Sequence, residues 1–360
     1  MAKILNVQPW HPGHVPASRA APMTDFIHLP HPLYDPEAAD APFRAYAGVP
    51  VLVTGATGFV GRWTWRLLAE SGARVHALGR SRARLEAVPL PGRHVVADLS
   101  LADSLAQVVE ALRPAVVFNL VGYGVDCAER SPGLDRRLNT DVPVEAALAV
   151  GALPDAEGWA GQRLVHAGSA FEYGAVRGPV PESAPPHPVG RYAVDKLEGT
   201  RRVERVRRGT GLRAVTARLF TVYGPGEHPH RLLPTLLRAA AAGIPVPLSP
   251  GTQRRDFTWV GDAAEGLLRL GLAEHAPGVV NLATGVATTV HDFALAVADA
   301  AGLDRALLRF GELPAAAEAR QGPADTTLLR ETLGWIPPTR VSDGIDRALA
   351  LAARRRSAHA

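Results

Sequence analysis

The stretch that most constrains this chain is a short apolar run, residues 51–53, which is followed almost at once by three glycines. Gly55, Gly58 and Gly61 are spaced G-x-x-G-x-x-G, and the helical spacing of apolar residues begins after them. An apolar run without alternation predicts a strand that is buried on both faces. The stretch therefore predicts a strand, a tight turn and the start of a helix.

Such a turn is suited to a dinucleotide, because each glycine can serve a physical need. One lets the chain turn sharply, one lets the backbone approach a pyrophosphate, and one lets the helix pack closely on the strand. Unpaired N–H groups at the helix N-terminus then face the phosphates. A chain with 35 glycines also produces such triplets by chance, so the prediction depends on the motifs that follow. The predicted cofactor contacts of the turn are Gly55, Thr57, Gly58, Phe59, Val60 and Gly61.

The end of the second predicted strand, residues 74–78, indicates which dinucleotide binds. An NAD-binding unit has an acidic residue here, which accepts a hydrogen bond from the ribose 2′-OH. This chain has Gly79 and Arg80 instead. An arginine is suited to a 2′-phosphate, so the sequence favours NADP over NAD. The alternative is that Arg80 is only a solvent-facing loop residue.

Short apolar strands alternate with helical segments, which is the pattern of a doubly wound parallel sheet in the α/β class. Beyond about residue 221 this alternation loosens, which predicts a smaller substrate-binding lobe. The predicted divisions are a Pro/His-rich arm (1–48), a dinucleotide-binding Rossmann domain (49–220), mainly the lobe (221–350) and a basic tail (351–360). We expect the arm to be extended, with a short helical turn at residues 36–45, because its prolines exclude long helices.

Ligands of such sheets bind beyond the carboxyl ends of the strands. The fourth predicted strand, residues 115–121, ends at this edge. Its end supplies predicted cofactor contacts from Leu120, Val121 and Gly122 and a predicted substrate contact from Tyr123.

A serine, a tyrosine and a lysine form the predicted catalytic set. Ser169 follows the fifth predicted strand, and Tyr192 and Lys196 open the next helix at i, i+4 spacing, which places both on one helical face. A phenol of pKa about 10 is a poor acid–base catalyst at neutral pH, but a neighbouring ammonium lowers its pKa. Tyr-x-x-x-Lys alone is common on helices. Together with the glycine turn and the strand-end serine, it predicts catalysis.

Composition excludes several classes of protein. The net charge of +4 is spread along the chain, which favours anionic ligands such as nucleotides and does not imply nucleic acid. Cys127 is the only cysteine, so neither an internal disulfide nor a cysteine-based metal site can form, and the histidines of the arm fit no defined metal spacing. No stretch approaches the about 20 apolar residues of a membrane span. We therefore expect a cytoplasmic protein with no metal and no membrane association.

These motifs resemble the extended short-chain dehydrogenase/reductase family, in the branch that acts on nucleotide sugars. The resemblance covers about residues 49–350 and continues through residues 218–226, 255–262 and 281–285. It implies that Ser169 and Tyr192 contact the reacting sugar oxygen, while Lys196 also holds the nicotinamide ribose. The resemblance further implies an adenine site at Asp98 and Leu99, support of the active-site helix by Asn139, and a diphosphate contact from Arg255.

Departures from the family pattern narrow the expected reaction. Members that dehydrate the sugar carry an Asp-Glu pair directly after the catalytic residue, where this chain has Ala170 and Phe171, which cannot act as acid and base. Members that epimerise C3 and C5 before reduction place a histidine where Gly226 stands. Thr221 occupies a position at which an asparagine commonly contacts the substrate. The predicted substrate contacts are Tyr123, Ala170, Phe171, Thr221, Arg231 and Arg255, and His228 and His230 are either further contacts or a surface cluster.

Hydride transfer is the chemistry that remains. We predict NADPH-dependent reduction of a nucleotide-linked 4-keto-6-deoxysugar, with Tyr192 as the proton donor. The alternatives are a 4-epimerase with tightly bound NAD(P) and a non-catalytic NADP-binding regulator. The resemblance implies a homodimer, for which Leu197, Val203 and Val206 would supply an apolar face unless they pack on the sheet.

Overall fold

The computed structural model describes residues 43–124, 131, 133–314 and 322–357. Cys127 and most of the predicted N-terminal arm lie outside these residues. The strands of the described residues are β1 (Pro50–Thr54), β2 (Arg74–Gly79), β3 (Arg93–Val96), β4 (Val116–Asn119), β5 (Leu164–Ser169), β6 (Ala214–Leu219), β7 (Thr221–Tyr223), β8 (Val246–Leu248), β9 (Arg254–Trp259), β10 (Val279–Leu282), β11 (Ala287–Thr289) and β12 (Leu308–Phe310). The α-helices of the same residues are α1 (Phe59–Glu70), α2 (Arg82–Glu86), α3 (Ser104–Leu112), α4 (Leu134–Arg136), α5 (Val142–Gly151), α6 (Arg191–Thr210), α7 (Leu232–Ala242), α8 (Val260–Leu272), α9 (Val290–Ala301), α10 (Thr327–Leu333) and α11 (Val341–Ser357).

A mostly parallel sheet is the central element. Within the described residues it has seven strands in the order β10-β6-β5-β4-β1-β2-β3. Strand β1 pairs in parallel with both β2 and β4, so the glycine turn that follows it lies at the middle of the sheet. The run β3-β2-β1-β4-β5-β6 is the order of a doubly wound dinucleotide-binding sheet. The predicted α/β fold is confirmed.

The chain forms two compact units that alternate along the sequence. The first comprises the described residues of Met1–Ser169, Gly190–Arg218 and Ala264–Val280, and the second those of Ala170–Val189, Leu219–Ala263 and Asn281–Ala360. A single division at residue 220 does not describe this arrangement. The physical reason is that β10 belongs to the large sheet although it comes late in the chain, and no local pattern specifies a pairing between such distant residues.

Apolar side chains from strands and helices form the core of the first unit. One cluster joins Leu52 of β1 and Val117 of β4 to Val109 of α3, Ala147 of α5 and Val203 of α6. Burial of each large side chain of this kind contributes about 1.5–3 kcal/mol relative to exposure. Because Val203 is in the core, and because Leu197 is only 4% exposed and Val206 packs against the same cluster, the three residues named for a dimer face pack inside the unit. The homodimer stays a prediction.

The end of the predicted N-terminal arm is part of this first unit. Arg44–Tyr46 forms a 3-10 helix, and Phe43 and Tyr46 are buried. The Tyr46 hydroxyl donates a hydrogen bond of 2.7 Å to the carbonyl oxygen of Leu268. The 3-10 helix overlaps the end of the helical turn that the sequence predicted at residues 36–45. Its two buried aromatic side chains follow the last proline of the arm, at residue 42.

The second unit contains a three-stranded sheet, β11-β9-β7, and a two-stranded ladder of β12 and β8. The Asp256 carboxylate joins β9 to the segment after β10. It accepts hydrogen bonds from the backbone N–H and hydroxyl of Thr284, at 3.0 and 2.6 Å, and from the N–H of Gly285 at 2.8 Å. Parts of two family-like motifs, at residues 255–262 and 281–285, thus hold the second unit together.

The C-terminal helix α11 includes residues 351–357, which the sequence predicted to be a basic tail. Ile345, Ala348 and Leu351 are buried at helical spacing. The apolar stripe of this helix thus continues to Leu351, the first residue of the predicted tail. A basic tail after it stays a prediction. In the part of the chain that the structure describes, no helix combines the length and apolar character that a membrane span requires.

Candidate active site

The turn between β1 and α1 has the conformation that its glycines allow. Gly55 has a φ of 64°, and a Cβ there would lie 2.9 Å from main-chain atoms of Leu120. A Cβ on Gly61 would overlap the carbonyl oxygen of Gly55. Gly58 is exposed at the N-cap of α1, with no side-chain cap, and a Cβ there would lie 3.0 Å from the Gly55 carbonyl oxygen. The turn thus combines close packing at its two ends with an open helix N-terminus between them, which fits a pyrophosphate.

A buried polar network ties the turn to the two neighbouring strands. Thr54 Oγ1 accepts hydrogen bonds from the N–H groups of Leu120 and Val121, at 3.1 and 3.3 Å, and donates one of 2.7 Å to Asn119 Oδ1. Asn119 Nδ2 lies 3.1 Å from Nδ1 of His166. Burial, and then the positive charge of Lys196, lowers the pKa of His166 to about 3. The imidazole is therefore neutral at pH 7, and in this form its Nδ1 can accept a hydrogen bond from Asn119 Nδ2.

The sequence did not predict this network, although a signal for it exists. Thr54, Asn119 and His166 are polar residues within otherwise apolar strands, and they occupy paired positions in the parallel registers β1–β4 and β4–β5. Polar side chains at paired buried positions indicate mutual hydrogen bonding, because a buried polar group without a partner is costly.

Lys196 is buried beside the loop that follows β4. Its ammonium group donates a hydrogen bond of 3.0 Å to the carbonyl oxygen of Ala167. A Cβ on Gly122 would lie 3.4 Å from Lys196 Nζ and 3.6 Å from Asn139 Oδ1. The absent side chain of Gly122 therefore leaves room for both polar groups at the carboxyl ends of β4 and β5.

Asn139 fixes this loop through both atoms of its amide. Nδ2 donates a hydrogen bond of 2.8 Å to the carbonyl oxygen of Tyr123, and Oδ1 accepts one of 3.2 Å from the Tyr123 N–H. Next to Asn139, Thr140 Oγ1 donates to the Asp195 carbonyl of α6 at 2.8 Å. The segment thus contacts both the loop and the helix that carries Tyr192.

The predicted catalytic residues all lie in the first unit. Ser169 is the last residue of β5 and only 5% exposed, whereas Tyr192, the second residue of α6, is half-buried. Lys196 lies one helical turn after Tyr192, on the same face. This arrangement places a hydroxyl, a phenol and an ammonium on two adjacent elements, β5 and α6. Their catalytic roles stay predictions.

Arg80 and Asp98 follow the ends of two paired strands, β2 and β3. Arg80 is exposed, directly after Gly79. A hydrogen bond from Ser100 lowers the pKa of Asp98, and the charge of Arg80 adds to that effect. Leu99, between Asp98 and Ser100, is buried in the core cluster of the first unit. Because the Leu99 side chain is buried, any contact that Leu99 makes to the adenine would come mainly from its backbone.

The predicted substrate contacts other than Tyr123 lie in the second unit. Ala170 is buried against Tyr173 and Phe220, whereas Phe171 is half-buried. Thr221 begins β7, and Arg255 lies on β9 opposite Thr288.

Among the described residues, no group of three metal-ligating side chains could hold a metal ion.

The loop between β7 and α7 contains a residue that the sequence did not single out. Glu227 has a side chain only 6% exposed, and its Oε1 accepts a hydrogen bond of 3.2 Å from Nε of Arg231. Its other oxygen, Oε2, is buried without a hydrogen-bond partner among the described residues. Burial raises the pKa of Glu227 to about 7, although the charge of Arg231 opposes this. No apolar pattern marks a glutamate in a Gly/Pro/His-rich loop as buried.

Replacing Glu227 with glutamine is expected to stabilise the protein more at pH 8 than at pH 5. Because the folded-state pKa of Glu227, about 7, lies above the ordinary value of 4.5, the wild type loses stability as the pH rises between these two values. Glutamine carries no charge and removes this loss, which is worth about 1–3 kcal/mol. Urea unfolding at both pH values measures the difference. The exposed Glu312, changed to Gln, is the control, and an equal effect of E227Q at both pH values would contradict the account.

Known proteins resemble this chain in sequence and in fold. The sequence model of the NAD dependent epimerase/dehydratase family matches residues 51–283. The chain belongs to this family. A relative from Kitasatospora kifunensis, dTDP-6-deoxy-L-talose 4-dehydrogenase (NAD(P)(+)), is 33% identical over 82% of this chain and 93% of its own length. The UDP-glucose 4-epimerase of Mycolicibacterium smegmatis is 28% identical over 83% and 96% of the two chains.

A solved structure also resembles this one. MoeE5 in complex with UDP-glucuronic acid and NAD superposes with a TM-score of 0.71 at 28% sequence identity, and the match covers 85% of this chain and 99% of that one. The predicted family and fold are thus confirmed. The relatives include both 4-dehydrogenases and 4-epimerases of nucleotide sugars.

Proposed function

We propose that this protein reduces the 4-keto group of a nucleotide-linked 4-keto-6-deoxysugar with NADPH. The observation that carries the proposal is the pair Ala170 and Phe171 directly after Ser169. Neither side chain can exchange a proton, so acid–base dehydration has no catalyst there. Ser169, Tyr192 and Lys196 together suffice for hydride transfer. The likeness to a nucleotide-sugar 4-dehydrogenase supports the same chemistry.

Each residue of the set has a distinct task in this reaction. NADPH, when bound, supplies a hydride to the carbonyl carbon. The phenol of Tyr192 donates its proton to the carbonyl oxygen, and the hydroxyl of Ser169 donates a hydrogen bond to the same oxygen. The buried Lys196 ammonium, held by the Ala167 carbonyl, stabilises the phenolate that remains. The carbonyl thereby becomes an alcohol.

The experiment that tests this function is incubation of the protein with NADPH and dTDP-4-keto-6-deoxyglucose or its UDP counterpart. We expect a loss of NADPH absorbance equal to the amount of sugar reduced. No loss with either substrate would contradict the reductase.

A second candidate is a 4-epimerase, which the likeness to a UDP-glucose 4-epimerase favours. The same serine, tyrosine and lysine would then oxidise and re-reduce one carbon, with no net use of cofactor. Interconversion of UDP-glucose and UDP-galactose without added cofactor would support this candidate over the reductase.

Replacing Arg80 with alanine is expected to weaken NADPH binding about 10- to 100-fold and to leave NADH binding within about threefold. The reason is that a charge-assisted hydrogen bond to the 2′-phosphate contributes about 1.5–3 kcal/mol, and NADH has no such phosphate. Fluorescence titration of each cofactor measures this. An exposed arginine of α6, Arg205, changed to Ala, controls for net charge. Equal loss of both cofactors, or no loss, would contradict a role in NADP selection.

A further inference from the structure

The Glu227 carboxylate is arranged unlike an ordinary surface ion pair. It is almost fully buried, yet only one of its oxygens is used, and that oxygen accepts from the Nε atom of Arg231. A buried carboxylate with an unused oxygen is costly to maintain. Such a cost at a loop residue indicates a functional need for the one contact that is made.

The Arg231 guanidinium contacts Glu227 only through Nε, and its two terminal amino groups are left for another partner. Its terminal amino groups make no hydrogen bond to any described residue, and its side chain is 40% exposed. Because Glu227 binds the guanidinium at Nε, the two terminal amino groups both point away from Glu227. This is the edge of a guanidinium that binds two phosphate oxygens at once.

The position of Arg231 in the fold also favours an anion. Arg231 is the N-cap of α7, a helix of 11 residues. A cation is unfavourable at a helix N-terminus, where the backbone N–H groups carry positive partial charge. A phosphate between the guanidinium and the first N–H groups of α7 would reverse this effect.

The backbone of the loop is fixed independently of Glu227. The Arg231 N–H donates to the His228 carbonyl oxygen at 2.9 Å, and the Pro229 carbonyl oxygen accepts from the Arg238 guanidinium of α7. The contact from Glu227 therefore sets the direction of the Arg231 side chain, and other groups hold the loop.

We propose that Glu227 is a positioning residue, which holds the Arg231 guanidinium so that its two terminal amino groups face a phosphate of the nucleotide diphosphate in the substrate. The proposal rests on the proposed function for the substrate class. It assigns no catalytic step to Glu227. Glu227 acts through Arg231 alone.

The test is a double-mutant cycle that measures binding of dTDP and, separately, UDP by titration calorimetry. Glu227→Ala is expected to weaken binding of at least one nucleotide about 5- to 20-fold, and Arg231→Ala about 10- to 30-fold, as loss of a charge-assisted contact implies. The double variant is expected to bind within about twofold of Arg231→Ala, because Glu227 acts only through that residue. Glu227→Gln keeps an acceptor for Nε and is expected to stay within about threefold of wild type.

The chain offers a matched control for a merely structural effect. Glu265 and Arg269 of α8 form another i, i+4 pair, at 2.7 Å, with a buried glutamate. Glu265→Ala is expected to leave nucleotide binding unchanged, and thermal unfolding of every variant shows that it is folded.

Several results would overturn the proposal. Tighter binding by Glu227→Ala would make the carboxylate an electrostatic repeller of the diphosphate. Additive losses in the double variant would mean that Glu227 does not act through Arg231. If the wild type bound neither dTDP nor UDP, Arg231 would not be a contact for a nucleotide diphosphate. The double variant could bind nucleotide like Arg231→Ala while the protein consumes no NADPH. That result would support the positioning role of Glu227 and contradict only the proposed reaction.

Discussion

Replacing Tyr192 with phenylalanine is expected to lower the turnover number about 1000-fold while NADPH binding changes less than about threefold. A positioned general acid contributes about 100- to 10,000-fold to such reactions, and phenylalanine keeps the ring but has no proton to donate. NADPH absorbance gives the turnover number, and fluorescence titration gives cofactor affinity. A change of fold would lower both the turnover number and the affinity for NADPH. A loss of turnover with unchanged affinity therefore indicates a role in the reaction itself.

Tyr223 is the matched control for this substitution. It is a buried tyrosine of the second unit whose hydroxyl donates a hydrogen bond of 3.3 Å to the Val341 carbonyl oxygen. Tyr223→Phe is expected to cost about 1 kcal/mol of stability and to leave turnover within about twofold. If Tyr192→Phe retained wild-type turnover, the assignment of Tyr192 as the proton donor would be wrong.

Replacing Gly61 with alanine is expected to lower NADPH affinity at least about 100-fold and the free energy of unfolding by about 2–4 kcal/mol. The added Cβ would overlap the Gly55 carbonyl oxygen, and backbone atoms cannot move aside as a flexible side chain can. Helix α1 must therefore shift away from the turn that its N-terminus faces. Cofactor titration and urea unfolding measure the two effects.

Gly209 provides the opposite control, because it is a helical glycine of α6 with open space around its missing side chain. Gly209→Ala is expected to stabilise the protein by up to about 1 kcal/mol, since alanine is the better helix former. Cofactor affinity should not change. A Gly61→Ala protein that bound NADPH like the wild type would contradict the packing role assigned to the turn.

Local patterns predicted those parts of the fold that local physics determines. Apolar runs, glycine spacing and i, i+4 spacing are properties of neighbouring residues. They therefore predicted the glycine turn, the parallel strands and the helix that carries Tyr192 and Lys196. The fifth strand was predicted in the same way at residues 163–167, and β5 extends two residues further, to Ser169. The apolar stripe of α11, through Ile345 and Leu351, was visible in the sequence but was missed beside a run of arginines.

Other features depend on contacts between distant residues, which no local pattern contains. The pairing of β10 into the large sheet moves the boundary between the units away from residue 220. The contact of Asn119 with His166 joins residues 47 positions apart. The burial of Glu227 depends on the packing of a loop. Each of these is a consequence of the assembled fold.

The most direct test of the central claim is transfer of deuterium to dTDP-4-keto-6-deoxyglucose or its UDP counterpart from NADPH that carries deuterium at both hydrogen positions of nicotinamide C4. We expect one deuterium at C4 of the product sugar for each NADPH consumed, detected by mass spectrometry and NMR, and loss of this transfer in Tyr192→Phe. Unchanged NADPH, or a product without deuterium at C4, would contradict the claim.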